Sequence, residues 1–176
     1  MENKNFLPDD YSPPATNSRY MKFKQGSNKF RMLSSPILGW LDWKDKKPLR
    51  FKIEDKPDSS IDPRQPFKHF WAMVVWNYQT EHIEILEITQ ISIQQVITTL
   101  SRDPDWGSPF KYDIKIERQG EGMDTKYTIL GMPPAEVTDE IKQAYKDTPI
   151  ILDAFYEGAD PFDTNEVETT NDGLPF

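Results

Sequence analysis

The rhythm of apolar and polar positions changes several times along the chain, and it predicts most of the elements. From Asn28, "NKFRMLSSPILGWLDW" alternates loosely with a break at Pro36, the pattern of a long strand bent or bulged in its middle. "KDKKPLRFKIEDKPDSSIDPRQP" follows, with four prolines and mixed charge, and predicts a long loop with a short strand at Leu49 to Ile53. "FKHFWAMVVWNY" and "HIEILEIT" are rich in aromatic and β-branched residues and are joined by "QTE", which makes a hairpin. In the first of these strands Phe70, Ala72, Val74 and Trp76 share one parity, and Phe67, His69, Trp71, Met73 and Val75 the other. Both sets are apolar, so the pattern leaves open which one faces inward.

Ser92 with Gln95 three residues on has the form of a capping box, and Ile93, Val96, Ile97 and Leu100 follow at the spacing of one helical face. The helix should stop before Pro104. "YDIKIERQ" alternates strictly, "GEGMD" turns, and "TKYTILGM" is a partner strand. The predicted order is β-β-β-α-β-β, a mainly β chain. It is the order of a five-stranded Greek-key OB-fold barrel, whose second and third strands and flanking loops often bind oligonucleotides. Beyond Pro133 and Pro134, Val137, Ile141, Ala144 and Tyr145 lie on one helical face, and Thr148-Pro149 is a start for a second short helix through Phe155. The predicted organisation is a flexible arm over 1–18, a barrel domain over 19–134, a helical extension over 135–156 and an acidic, disordered tail over 157–176.

Composition narrows the chemistry. At 176 residues the chain has room for one domain with a core plus appendages. Without cysteine there are no disulfides, thiolate zinc sites or cysteine nucleophiles, and His69 and His82 are the only histidines. No apolar run approaches the ~20 residues that cross a bilayer, and "MENKNFLPDDYSPP" lacks the basic and apolar regions of a signal peptide. The expectation is a protein with no membrane partner that stays in the compartment where it is made.

The formal charge of -8 is unevenly spread. From Asp147 onward there are eight carboxylates and no Lys or Arg, which leaves 21 acids against 21 bases in the preceding residues. Residues 19–68 carry 13 Lys and Arg against six acids. A basic front and an acidic back point to a polyanion partner. A single strand of nucleic acid needs cations along its phosphates and flat rings for its bases, and stacking contributes about 1 to 3 kcal/mol per base. Trp43, Lys47, Arg50, Lys52, Lys68, Trp71, Trp76 and Tyr78 offer both and are the candidate contacts. A nuclease reading would use Asp103, Asp105, Asp113 and Glu117 as magnesium ligands, but "RDPDWG" has the composition of a turn after a helix, where Asp and Pro serve the backbone. No glycine-rich phosphate loop is present, so no enzyme and no cofactor are expected. The acidic tail imitates a nucleic-acid strand in charge and can occupy a basic groove while that groove is empty. Its tip, Asp172, Leu174, Pro175 and Phe176, suits capture by a partner protein, with the ring in an apolar pocket and a carboxylate on Lys or Arg.

"FRMLSSPILGW", "KHFWAMVVWNY", "ILEITQISIQQVI" and "DWGSPFKYDIKIERQGEG" resemble the single-stranded DNA-binding proteins of tailed bacteriophages, over about Tyr20 to Pro134. "NDGLPF" is similar to the acidic Ile-Pro-Phe tip of bacterial single-stranded DNA-binding proteins, with Leu174 in place of isoleucine. The resemblance implies an OB-fold protein in the cytoplasm of an infected bacterial cell. It would coat single-stranded DNA in replication, recombination and repair, as a monomer that assembles cooperatively on DNA, and recruit replication or recombination proteins through its tail. Some phage members carry a structural zinc; with no Cys, that role is not carried over. The alternative reading is an OB-fold adaptor of the replication machinery that touches nucleic acid incidentally.

Overall fold

The computed structural model describes residues 19–164 and 174–176, so the predicted arm over 1–18 and Asp172 lie outside the described residues. The order is β1 (Tyr20–Met21), β2 (Gly26–Met32), β3 (Ile37–Lys44), β4 (Lys47–Lys52), β5 (Lys68–Asn77), β6 (His82–Ile88), α1 (Ile91–Arg102), β7 (Ile114–Gln119), β8 (Lys126–Gly131) and α2 (Asp139–Asp147). A 3₁₀ segment, Leu152–Glu157, follows α2. The chain is mainly β, with one mixed sheet: β1 runs parallel to β6, and the other pairings are antiparallel.

The break predicted at Pro36 divides one long strand into β2 and β3. Across it, the Leu33 amide donates to the Val74 carbonyl at 2.9 Å, and the Val74 amide donates to Ser34 Oγ at 2.9 Å. A serine hydroxyl thus stands in for a ladder carbonyl, and both halves stay on β5. Ahead of the break, Gly26–Phe30 also pairs with β7. The stretch expected to be mostly loop opens instead as a tight hairpin. Asp45 and Lys46 lie between the paired Lys44 and Lys47, both at positive φ, as a two-residue type I′ turn requires. Asp-Lys is a weaker turn signal than Asn-Gly, and that is why the hairpin is hard to see in the sequence.

The five strands of the predicted barrel become eight, because the first is split, β1 is added, and the short strand expected at Leu49 to Ile53 forms as β4 over Lys47–Lys52. The strand order β1-β6-β5-β2-β7-β8 leaves β1 and β8 at its two ends, so hydrogen bonding does not close the sheet into a barrel.

β5 has a covered surface on both faces along most of its length, and that explains its unbroken apolar run. The odd-parity residues Met73 and Val75 join Phe30, Met32, Leu86, Ile88, Tyr112, Ile114 and Ile116 in the main core, sealed by Ile93 and Ile97 of α1. Gln94 fixes that helix by donating to the carbonyls of His69 and Ile88 at 3.0 and 2.9 Å. The even-parity residues face the C-terminal extension: Val74 and Trp76 pack on Val137 and Ile141, and Phe70 and Ala72 on Phe155.

α1 begins on Gln90 with no side-chain cap, so Ser92 lies inside the helix and the expected capping box is not formed. α2 does have a polar cap, the Thr138 hydroxyl accepting from the Ile141 amide at 3.4 Å. The last short helix starts at Leu152, not at Pro149. Over residues 158–164 the chain still follows the domain: the Ile151 amide donates to the Pro161 carbonyl at 2.8 Å, and Phe162 meets Tyr20 edge-on at 5.8 Å.

Candidate nucleic-acid interface

Register decides which candidate side chains share a face, because directly paired residues point the same way. On one face of the β4-β3-β5 region lie Trp43 opposite Pro48, Leu41 between Arg50 and Lys68, and Gly39 between Lys52 and Phe70. Four of the candidates, Trp43, Arg50, Lys52 and Lys68, therefore share one face of the sheet, with Trp43 next to the turn and Lys52 at the other end of β4. Trp43 is 44% exposed, and Lys52 and Lys68 are exposed on the same face. Lys44, Lys46 and Lys47 crowd the exposed turn at the tip, with Lys47 on the opposite face together with Lys44.

Arg50 does not offer the free cation expected of it. Its Nε donates to Glu87 at 2.7 Å, and its guanidinium lies over the Phe155 ring at 4.3 Å. It is a strut between β4, β6 and the C-terminal extension, with its charge already neutralised. The extension also brings a ring that the sequence pattern did not single out. Tyr156 donates its hydroxyl to the Leu38 carbonyl at 2.7 Å and lies under Lys52 at 5.6 Å. Its only sequence signal is its place two residues past Ala154 in an apolar run, which reads as helix packing.

The other candidates lie elsewhere. Trp71 is half-buried on the opposite face, paired with Leu38 and Ile88 and packed on the main core. Trp76 is 5% exposed beneath α2, so it has no face to give a base. Tyr78 is half-buried at the far end of β5, its hydroxyl donating to Asp113 at 2.8 Å and its ring capped by Lys29 at 4.4 Å. Burial, reinforced by the adjacent carboxylate, pushes its hydroxyl up to about 12.

Trp40, Phe51, Phe67 and His69 also gather on the face opposite Trp43. The Trp40 and His69 rings are 5.2 Å apart, and Lys56 caps Trp40 at 3.9 Å. Asp42 ties the long loop down on that side by accepting from the Ile61 amide at 2.9 Å. These rings form a satellite cluster under the loop. Trp43, on the other face, is left as the tryptophan with an exposed surface.

Among the described residues no group of three or more His, Asp or Glu is placed to hold a metal ion, and no helix is long and apolar enough to cross a membrane. Asp113, one of the imagined magnesium ligands, is 8% exposed and paired with Arg31 at 2.7 Å.

The comparisons with known proteins give one informative likeness. The chain is 28% identical over 79 residues to a "Probable ssDNA-binding protein" of Escherichia phage T5. The match covers 45% of this chain and only 30% of the phage protein's length. No protein-family profile and no solved structure matches the chain.

Proposed function

We propose that this protein binds single-stranded DNA without strong sequence preference, on the face of the β3-β4 hairpin that carries Trp43. The observation that carries the reading is an exposed tryptophan at the end of a sheet whose hairpin and neighbouring strands carry exposed lysines. A ring held on a strand presents a π-face at little entropic cost, and lysines at 44, 46, 47, 52 and 68 supply cations for a passing phosphate chain. The likeness to the phage protein supports the same reading.

In this reading the strand and helix order is that of an OB-fold whose barrel is left open, with the bent β2-β3 as its first strand. The C-terminal extension covers the middle of the outer face of β5, so the path for DNA is displaced toward the hairpin. Lys47 contributes from the edge, while Arg50 and Trp76 act as supports. The protein would coat transient single strands in the cytoplasm of a phage-infected cell during replication, recombination and repair, and its acidic tail would recruit replication or recombination proteins.

Fluorescence anisotropy of a labelled oligo-dT strand, beside a duplex of equal length, tests this at low and physiological salt. Binding that favours the single strand and falls with salt supports it. Equal, weak and salt-insensitive binding to both would point to an adaptor instead.

A further inference from the structure

Phe176 lies against the folded body, far from the hairpin. Its ring meets Tyr145 edge-on at 5.4 Å, the geometry that aromatic quadrupoles favour, and it joins the cluster of Val137 and Ile141. The ring forms part of the wall of a surface pocket of about 510 Å³ between α2 and the segment after β8, whose lining also includes Phe110, Ala135 and Val137, the cations Lys111 and Lys142, and one carboxylate, Glu136. Arg31 forms part of the lining, and Arg31 pairs across the sheet with Trp76. From Trp76 to Lys68 is eight residues of extended strand, about 26 Å at 3.3 Å per residue, so the pocket lies at the opposite end of β5 from Trp43.

We propose that this pocket is a receptor for the Leu174-Pro175-Phe176 tip in the same chain. The apolar wall takes the ring, and the flanking lysines favour the acidic segment that carries it. Any protein that captures the tip must therefore compete with the body for it. The contact lies at the other end of the sheet from the hairpin proposed for DNA, so docking the tip and binding a strand can occur together. This differs from the tail lying in an empty basic groove, the arrangement that charge alone suggests.

The direct test uses the chain lacking residues 174–176 and a fluorescein-labelled peptide of residues 170–176. Polarisation should show saturable binding to the shortened chain, and at least tenfold weaker apparent binding to the full chain, whose own tip competes at high effective concentration. A peptide with Phe176→Ala should fail to bind, and the shortened chain carrying Lys111→Glu and Lys142→Glu should bind the native peptide several-fold more weakly. In the full chain, Phe176→Ala should shift the Tyr145 ring resonances while leaving the rest of the spectrum in place. Removing residues 174–176 should change oligo-dT affinity by less than twofold.

No peptide binding by a folded shortened chain, or equal binding by shortened and full chains, overturns the proposal. Dimerisation of the full chain that disappears with Phe176→Ala would assign the pocket to a second copy and overturn docking within the chain. The peptide-binding, resonance and dimerisation readings do not depend on whether the protein binds DNA.

Discussion

Arg31 and Asp113 form a buried ion pair, Nε to Oδ1 at 2.7 Å, that holds three parts of the chain together. The guanidinium also donates to the carbonyls of Phe110 and Ala135, at 3.2 and 3.0 Å, and Asp113 accepts from the Tyr78 hydroxyl at 2.8 Å. β2, β7 and the approach to α2 therefore share one polar joint. Removing one partner leaves the other charge buried, which costs about 3 to 5 kcal/mol. Asp113→Ala should lower the urea midpoint accordingly, whereas Arg31→Met with Asp113→Leu should recover much of the loss. Equal midpoints for Asp113→Ala and the parent would show that the joint carries no stability.

The same joint makes a pH prediction through Tyr78. Its pKa is raised from 10.0 to about 12 by burial first and by Asp113 second, so the folded state keeps the proton longer than the unfolded state. Stability tied to this group is complete below pH 10 and is lost as pH rises through 10 toward about 12. Tyr78→Phe should make that alkaline decline shallower. Tyr20, Tyr112, Tyr145 and Tyr156, also raised by burial, should keep part of the slope. An unchanged slope in urea melts across this range would contradict the assignment.

Gly39 sets how closely β3 lies between its neighbours. A Cβ there would run into the Phe51 carbonyl oxygen and the Phe70 ring. Gly39→Ala should therefore push β4 away and lower stability, and with the hairpin displaced, oligo-dT affinity should fall as well. Wild-type affinity in a stable Gly39→Ala variant would show that β4 takes no part in the binding face.

The acidic segment and its tip should have separable effects. Deleting residues 165–176 removes Glu166, Glu168 and Asp172 while sparing Phe162, which packs on Tyr20. Oligo-dT binding should tighten several-fold at low salt, and the two proteins should converge as salt rises, because screening removes long-range repulsion. Tightening that persists at high salt would instead mean that the segment blocks the site directly.

How much of this was legible in the sequence follows from the range of each signal. Local periodicity found β5, β6, α1, β7 and β8, and Pro36 marked the break between β2 and β3. The short strand expected at Leu49 to Ile53 is β4, but its pairing with β3 depended on a turn with weak signature residues, so the hairpin was not legible. The candidate site divided along register, which local pattern cannot supply: Trp43, Lys52 and Lys68 share a face, while Trp76 has the same parity as Phe70 but lies under α2. Arg50 looked like a free cation because its partner, Glu87, is 37 residues away. The place of Phe176 was the least legible, since its pocket is assembled from segments near Arg31, Phe110 and Val137 that meet only in the folded chain.

The central claim is that a single strand of DNA stacks on Trp43. Its most direct test is quenching of intrinsic tryptophan fluorescence by oligo-dT in the parent and in Trp43→Phe and Trp43→Ala. The account predicts strong quenching in the parent and loss of most of it in Trp43→Phe. For Trp43→Ala it predicts an affinity lower by about 1 to 3 kcal/mol, the worth of one stacked base. Undiminished quenching in Trp43→Phe together with parental affinity in Trp43→Ala would contradict it and move the binding path off this hairpin.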